Sequence, residues 1–385
     1  MDFELTEDQR ALKATIREFA EAEVAPRAAE WDRQGIFPLE TIRKLGDLGV
    51  MGIPFPEEYG GLGQGSFELA IVMEELARVD SSVAITVGAN VSLGGAPIAL
   101  FGTEEQKQRW LAPLARGEVL GAFGATEPGC GSDLQGTRTT AREEDDHWVI
   151  NGTKAFITNA GTEMSAFVTI TAVTGMRPDG RREISNILVP NGTPGYSSAR
   201  PYHKLGWHAS DTRELSFEEC RVPRDHLVGQ RGAGARQFLA VLDGGRIGVA
   251  AMSVGLAVGA LEMALAYAKE RTAFGRPIAS NQAVAFKLAD LDMEIEAARL
   301  LTYKAAKLRD AGRPFAREAA HAKLFASELA VRAADAAMQV FGGFGYIEES
   351  PIPRFYRDAK ILTIGEGTSE IQRLVIARHL GCQVS

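Results

Sequence analysis

The chain has 385 residues, of which 45% are hydrophobic and 24% charged, so it has room for two or three packed domains of ordinary globular composition. Its formal net charge of −8 argues against a surface built to bind nucleic-acid phosphates, because such a surface needs clustered cations. No uninterrupted apolar run is long enough to span a bilayer, and the acidic N-terminus lacks the apolar core of a signal peptide. We therefore expect a cytoplasmic protein that does not bind membranes.

The chain shows no pattern typical of a metal site or a disulfide framework. Cys130, Cys220 and Cys382 are far apart in sequence, as expected for thiols in a reducing compartment. His203 and His208 flank the segment "KLGW", but no third ligand or nearby nucleophile accompanies them. We predict no metal ion.

Residues 1–120 are predicted to form an α-helical domain. The segments "TEDQ" from Thr6 and "TEEQ" from Thr103 fit the capping box, in which side chains satisfy the free N–H groups of a helix start. Apolar residues follow each box at helical spacing, so these faces are predicted to belong to the core.

Residues 121–228 have the alternating pattern of strands. Asn151-Gly152 lies between two short β-rich runs, which predicts a tight hairpin. Asp179-Gly180, Asn191-Gly192 and Pro194-Gly195 mark further turns between strands. This pattern favours a mostly antiparallel β domain.

Residues 229–385 return to long Ala- and Leu-rich helices, typical of an antiparallel bundle. The first of them is small and apolar on nearly every face, so we expect it to be buried. The fold class is therefore α+β and multidomain, in the order helices, β domain, helical bundle.

Glu366 lies between two glycines in "ILTIGEGTSEIQR", just before a predicted helix. The segment "SEIQ" from Ser369 fits a capping box, which places Glu366 in the preceding turn. The flanking glycines permit unusual backbone angles and close approach of another molecule. An exposed acid near a helix N-terminus is the simpler explanation for this residue when it is taken alone.

Two other stretches have the composition of ligand-binding segments. The loop "GAFGATEPGCGSD" from Gly121 offers backbone N–H groups and hydroxyls, but it is neither a Walker loop nor a dinucleotide-binding fingerprint. In "KERTAFGRPI", Arg271 either neutralises the helix dipole or meets a phosphate.

Taken together, seven segments resemble the acyl-CoA dehydrogenases. They occur in the family's order, and the resemblance covers essentially the whole chain. The segments are "TEPGCGSD", "NGTKAFITNA", "KLGWHASDTRELSFEECRVP", "LDGGRIGVAA", "ERTAFGRPI", "QVFGGFGY" and "YRDAKILTIGEGTSEIQRLVIARHLG". The resemblance implies an acyl-CoA dehydrogenase-like fold, with FAD between the middle β domain and a C-terminal four-helix bundle.

The resemblance also implies site residues. The flavin would be lined by the loop from Phe123 to Ser132 and covered by "FIT", and a neighbouring subunit of a homotetramer would add further contacts. The implied FAD contacts are Phe123, Thr126, Ser132, Phe156, Thr158, Arg271, Phe274, Gln282, Gln339, Gly343, Thr368 and Glu370. The implied acyl-CoA contacts are Ser132, Asp243, Arg246 and Gly367.

By the same resemblance, Glu366 is the general base. The α C–H beside a thioester is a very weak acid, so a positioned base must remove its proton while the developing enolate is stabilised. The β hydrogen would leave as hydride to flavin N5. The product would be a trans-2-enoyl-CoA, and electron-transferring flavoprotein is the expected electron acceptor.

Departures from the family pattern bear on the substrate. Many relatives have Tyr at the position of Gly365, so the pocket is predicted to be wider near Cα and Cβ. It would accept short- or medium-chain substrates, including branched ones. One branch of the family carries its base at the position of Gly245, and Gly here argues against that arrangement. A glutaryl-type enzyme would need an added cation in the acyl pocket, which the sequence does not locate.

Three other readings stay open at the level of sequence. They are an acyl-CoA oxidase that uses dioxygen, a DNA-associated flavoprotein without dehydrogenase activity, and a CoA-binding scaffold without flavin. The acidic chain and the retained Glu366 weigh against DNA binding.

Overall fold

The computed structural model describes residues 4–384. Residues 1–3 of the predicted N-terminal domain and Ser385 of the predicted C-terminal domain lie outside it. Its N-terminal part is helical, as predicted. Both capping boxes are confirmed, since Thr6 pairs reciprocally with Gln9 and Thr103 with Gln106. The helices are α1 (Glu7–Phe19), α2 (Ala25–Gln34), α3 (Leu39–Asp47), α4 (Ser66–Ala77), α5 (Ser81–Ala89), α6 (Ala96–Phe101), α7 (Glu104–Gln106) and α8 (Ala112–Ala115). Short π-helical segments extend α1, α5 and α7.

The middle part is one sheet in the order β6-β7-β3-β2-β4-β5-β8, with β1 paired to β4. Its pairs are antiparallel except those of β4 with β1 and β2, so the predicted mostly antiparallel domain is confirmed. The strands are β1 (Leu120–Gly124), β2 (Thr140–Glu144), β3 (His147–Thr158), β4 (Ser165–Met176), β5 (Arg182–Pro190), β6 (Tyr196–Ser198), β7 (Thr212–Pro223) and β8 (Leu227–Val228).

The predicted hairpin at Asn151-Gly152 is wrong. Strand β3 continues through these residues, and the turn before it lies at Asp145, which has a φ of +50°. Gly152 instead marks a shift in the pairing of β3 with β7. A Cβ at Gly152 would lie 2.5 Å from Thr139 Oγ1, so close approach of a neighbouring strand, rather than a turn, requires this glycine.

The C-terminal part is a helical bundle around α9. Its helices are α9 (Gly234–Glu270), α10 (Gln282–Asp310), α11 (Ala316–Phe341), α12 (Ile352–Leu362) and α13 (Ser369–His379), with a small hairpin of β9 (Thr272–Ala273) and β10 (Arg276–Pro277) between the first two. The prediction that α9 is buried is confirmed. A Cβ at Gly255 or Gly259 would lie 2.1 Å from a backbone oxygen at the end of α4, so these glycines let the N-terminal helices pack directly on the bundle.

Two helical segments, Ser81–Phe101 and Gly234–Glu270, reach the length and mean hydropathy of a membrane span. The most apolar windows of these segments are 78% and 67% buried inside the protein, as expected for core helices. Their apolar character therefore reflects packing between the two helical parts.

Candidate active site

Glu366 lies in a strained turn between α12 and α13. Its φ is +54°, a left-handed conformation that non-glycine residues rarely adopt, and Gly367 follows with a φ of +89°. The predicted cap at Ser369 is wrong by one residue. Thr368 is the N-cap, and its hydroxyl accepts a hydrogen bond from the Ile371 N–H. The cap therefore begins immediately after Gly367 and helps to fix the turn.

Two buried side chains, Lys323 and Gln372, donate hydrogen bonds to the main chain of this turn. Lys323 Nζ donates to the Gly367 carbonyl over 2.8 Å, and Gln372 Nε2 donates to the same oxygen over 2.8 Å. Gln372 Nε2 also lies 3.3 Å from the Glu366 carbonyl oxygen. Lys323 and Gln372 are fully buried, so these bonds are shielded from water and anchor the main chain at Gly367.

The carboxylate of Glu366 is buried although the residue as a whole is only half-buried. Its Oε2 has no hydrogen-bond partner within residues 4–384. Burial raises the pKa of Glu366 to about 7, against the opposing charges of Arg246 and then Lys323. An unpaired buried oxygen with a pKa near working pH has the properties of a general base.

A cavity of about 110 Å³ lies against Glu366 between the helical parts. Its walls are mostly aliphatic and come from α4, α5, α6 and α9. The apolar side chains among its lining residues include Leu69, Met73, Ile85, Val91, Leu100, Val249 and Met252. Such a cavity can hold a short hydrocarbon chain beside the carboxylate.

Two glycines of α9 shape the wall near Glu366. A Cβ at Gly245 would lie 2.6 Å from Glu366 Oε2, so the carboxylate occupies the space that a side chain at 245 would take. A Cβ at Gly244 would lie 2.7 Å from the guanidinium of Arg309, which also lines the cavity. Arg309 makes no ion pair in the described part of the chain, and burial lowers its pKa.

Asp243 and Arg246, predicted to contact acyl-CoA, lie together on α9 beside Gly245. Arg246 Nη1 donates to Asp243 Oδ1 over 2.5 Å. Arg246 is almost fully buried and its Nε has no partner among residues 4–384. Burial raises the pKa of Asp243, whereas the charge of Arg246 lowers it. The structure thus brings Asp243, Arg246, Glu366 and Gly367 into one region, whereas Ser132 lies exposed in the loop after β1.

The exposed face of the β domain fits a planar aromatic ligand. Phe156 is 63% exposed with a φ of +61°, and its ring lies 5.1 Å from that of Tyr202. The hydroxyls of Thr126, Ser132 and Thr158 make no hydrogen bond within residues 4–384. An exposed aromatic ring accompanied by free hydroxyls is suited to contact a flavin ring.

Other predicted flavin residues are placed differently. Phe123 is buried and its ring stacks on Phe238 at 4.8 Å, so its side chain belongs to the packing beneath the loop. Beneath the same loop, Lys154 Nζ pairs with Glu127 Oε1 at 2.8 Å, and both residues are buried. Thr368 caps α13 and Glu370 is exposed in its first turn.

The remaining predicted contacts lie on the surface of the bundle. Arg271 and Gly343 line an open cleft of about 530 Å³ together with Tyr267, Phe341 and Phe344. Phe274 lies in the adjoining hairpin and is 99% exposed, with a φ of +53°. Gln282 and Gln339 are also exposed. These residues together form an exposed surface at this end of the bundle.

The sequence did not reveal three residues of the site. Lys323, Gln372 and Arg309 reach the site only through the packing of α10, α11 and α13. The one local signal was Lys323, a cation among alanines on the buried face of a helix, which is a rare position for an unpaired lysine.

Models of the acyl-CoA dehydrogenase N-terminal, middle and C-terminal domains match residues 6–118, 122–220 and 232–381. The probable acyl-CoA dehydrogenase YngJ of Bacillus subtilis is 52% identical over 99% of this chain and 100% of its own length. Butyryl-CoA dehydrogenase from Megasphaera elsdenii has a TM-score of 0.95 at 44% identity, covering 99% of this chain and 100% of that one.

A chain in the structure of the electron transferring flavoprotein of Acidaminococcus fermentans has a TM-score of 0.95 at 46% identity, covering 99% of both chains. These matches run through all three parts of the fold and include the segment around Glu366. The chain therefore belongs to the acyl-CoA dehydrogenase family of flavoproteins, oxidoreductases that act on the CH–CH group of acyl-CoA thioesters.

Proposed function

We propose that this protein dehydrogenates a short-chain acyl-CoA between Cα and Cβ, with Glu366 as the general base. The observation that carries the proposal is the buried Glu366 Oε2, which has no hydrogen-bond partner within residues 4–384 and lies against an apolar cavity. Protonation of a carboxylate in this state is favourable, because it removes a charge that the cavity cannot solvate.

Proton removal from Cα requires stabilisation of the charge that develops on the thioester. The main-chain N–H of Glu366 has no acceptor within residues 4–384, so it is free to donate to the thioester oxygen. Arg246 and Lys323 place two cations near the same carboxylate, which limits the rise in its pKa. One oxyanion donor contributes about 2.7–4 kcal/mol and a general base about 10²–10⁴-fold, so the two act together.

We propose FAD as the flavin. When bound, its ring supplies the acceptor for the hydride that leaves Cβ. Phe156 would stack on that ring because its side chain is exposed. Thr126, Ser132 and Thr158 would hydrogen-bond to the ring because their hydroxyls have no partner within residues 4–384. Thr368 and Glu370, at the start of α13, would hold the cofactor from the side of the base.

The size of the cavity supports a short acyl chain. An apolar cavity of ~150 Å³ holds benzene, with six carbons, so about 110 Å³ suits an acyl group of roughly four carbons. A Cβ at Gly365 would meet only the Ile361 oxygen at 3.6 Å, which leaves room beside the turn for a branch near Cα or Cβ. The butyryl specificity of the Megasphaera relative points to the same chain length.

We further propose that the protein works as a homotetramer and passes electrons to an electron-transferring flavoprotein. The exposed Phe274 and the open cleft at Arg271 support a subunit contact at the cofactor, because an isolated chain would leave this apolar surface in water. The likeness to a chain in the Acidaminococcus structure supports the electron acceptor.

A panel of acyl-CoAs tests the function. The purified flavoprotein is mixed anaerobically with straight C4 to C8, branched and glutaryl substrates, while the loss of visible flavin absorbance and the 2-enoyl product are followed. We expect the fastest bleaching with butyryl-CoA or a branched C4–C5 substrate. The proposal would be contradicted if none of the acyl-CoAs bleached the flavin. Turnover of glutaryl-CoA would instead indicate that Arg309 binds the second carboxylate of that substrate.

The same panel is repeated with three acceptors: electron-transferring flavoprotein, an artificial dye and dioxygen. We expect reoxidation by the first two and little consumption of oxygen. Rapid turnover with dioxygen alone would identify an oxidase.

A further inference from the structure

A buried cation beneath the catalytic turn has no part in the chemistry assigned so far. Lys323 lies on α11 with a side chain that is 0% exposed, and its neighbours on the buried face are alanines. Its Nζ makes one hydrogen bond, to the Gly367 carbonyl, and no carboxylate lies within ion-pairing distance in the described part of the chain. Burying a lysine in this way is costly, so its charge or its donor must serve a purpose.

The geometry ties Lys323 to Glu366 in two ways. Its hydrogen bond fixes the carbonyl that follows Glu366, in a turn where both residues have positive φ. Glu366 is also the carboxylate whose charge acts most strongly on Lys323, ahead of Glu370 and Glu328, while Arg246 opposes them. Burial lowers the pKa of Lys323 to about 8, and the charge of Glu366 opposes this shift.

Two other cations lie at this site. Arg309 lines the same cavity from α10, whereas Arg246 lies on α9 beside Gly245. Arg246 acts more strongly on the pKa of Glu366 than Lys323 does, but its guanidinium already pairs with Asp243. The field of Arg246 is therefore partly cancelled by its own partner. Lys323 has no carboxylate partner among residues 4–384, so its charge is not cancelled in this way.

We propose that Lys323 is a positioning residue whose charge sets the pH at which Glu366 becomes a base and whose hydrogen bond holds Glu366 in its left-handed turn. The inference rests on the proposed role of Glu366. The two contributions are separable, because Gln372 donates to the same Gly367 oxygen without carrying a charge.

The sign of the effect follows from the charges. Glu366 must be ionised to accept a proton, so kcat/KM rises with pH through the pKa of Glu366 in the free enzyme. Removing the cation of Lys323 destabilises the carboxylate and raises that pKa further. The acidic limb of the pH profile must then move to higher pH.

The test compares Lys323→Gln, which keeps a donor but loses the charge, with Gln372→Met, which loses a donor but leaves the charge in place. The pH dependence of kcat/KM is measured with butyryl-CoA and a dye acceptor at equal flavin content. We expect the acidic limb of the wild-type profile to have its midpoint near pH 7. This midpoint should move upward by about 1 pH unit or more in Lys323→Gln and should not move in Gln372→Met. Lys323→Arg should return the limb towards that of the wild type.

The inference would be overturned if the acidic limb of the Lys323→Gln profile coincided with that of the wild type. It would also be overturned if Gln372→Met moved the acidic limb by as much as Lys323→Gln does. If Lys323→Gln does not fold, the double variant Lys323→Gln, Glu366→Gln decides. Electrostatic coupling predicts that the double variant recovers the Tm and flavin content of Glu366→Gln, and a double variant as unstable as the single one contradicts it. Absence of acyl-CoA oxidation by the wild type would refute the proposed function rather than this inference.

Discussion

At the scale of single residues, the site depends on the absence of a side chain at Gly245 of α9 as much as on Glu366 itself. Gly245 leaves the space that the Glu366 carboxylate fills, since a Cβ there would lie 2.6 Å from Oε2. The Glu366 carboxylate and a side chain at position 245 cannot both occupy this space. The strained backbone at Glu366 thus lies opposite a gap in α9, and the carboxylate fills that gap.

Gly245→Ala should displace the carboxylate without unfolding α9, because alanine is the best helix former. A base misplaced by about 1 Å can cost ~10²-fold, so we expect a fall in kcat of that order with retained flavin. The reference is the wild type at equal flavin content, and the helical content of Gly245→Ala checks that α9 is intact. Equal activity of Gly245→Ala and the wild type would show that Glu366 does not need this gap.

At the scale of elements, the loop that follows β1 is held by a buried ion pair. Lys154 Nζ pairs with Glu127 Oε1 at 2.8 Å and also lies 3.1 Å from Thr171 Oγ1. Glu127 in turn accepts the N–H groups of Arg138 and Thr139. The pair therefore connects β3 and β4 to both ends of the glycine-rich loop.

Lys154→Met should leave Glu127 buried and uncompensated, at a cost of about 3–5 kcal/mol in the free energy of unfolding. We expect a lower Tm and partial loss of flavin, measured by calorimetry and by the visible absorbance of the purified protein. The double variant Lys154→Met, Glu127→Gln removes the stranded charge but keeps an acceptor for the two N–H groups, so it should recover most of the loss. A double variant less stable than the single one would contradict this account.

The elements also show where sequence reasoning succeeds. The capping boxes at Thr6 and Thr103 are local, because the residues that satisfy the helix start lie within three positions of it. The Asn151-Gly152 prediction failed because Gly152 is required by its close contact with Thr139, the residue just before β2. Glu366 was predicted from a family resemblance, whereas Lys323 and Arg309 reach the site from helices remote in sequence, and no local pattern encodes that packing.

At the scale of the whole molecule, one end of the bundle exposes aromatic side chains. Phe274 is 99% exposed, Tyr346 is 87% exposed, and both lie near the cleft lined by Arg271 and Phe344. Aromatic side chains with a neighbouring arginine are typical of the core of a protein interface. The contacts predicted from Arg271, Phe274 and Gln282 to a partner's cofactor lie on this surface.

Phe274→Glu should weaken the subunit contact, because it places a charge where burial is expected. We predict a smaller particle by light scattering and a lower flavin content, with the helical content retained. Met176→Glu, at another exposed apolar residue on the β domain, is the control and should change neither. An unchanged particle size for Phe274→Glu would remove Phe274 from the interface.

The central claim is that Glu366 takes the α proton. The most direct measurement is a single-turnover experiment at pH 8, in which wild type and Glu366→Gln of equal flavin content are mixed anaerobically with butyryl-CoA and flavin bleaching is timed. The exposed Glu349→Gln serves as a control and should bleach at the rate of the wild type. We predict bleaching at least about 10²-fold slower in Glu366→Gln, and bleaching at the wild-type rate in that variant would contradict the account.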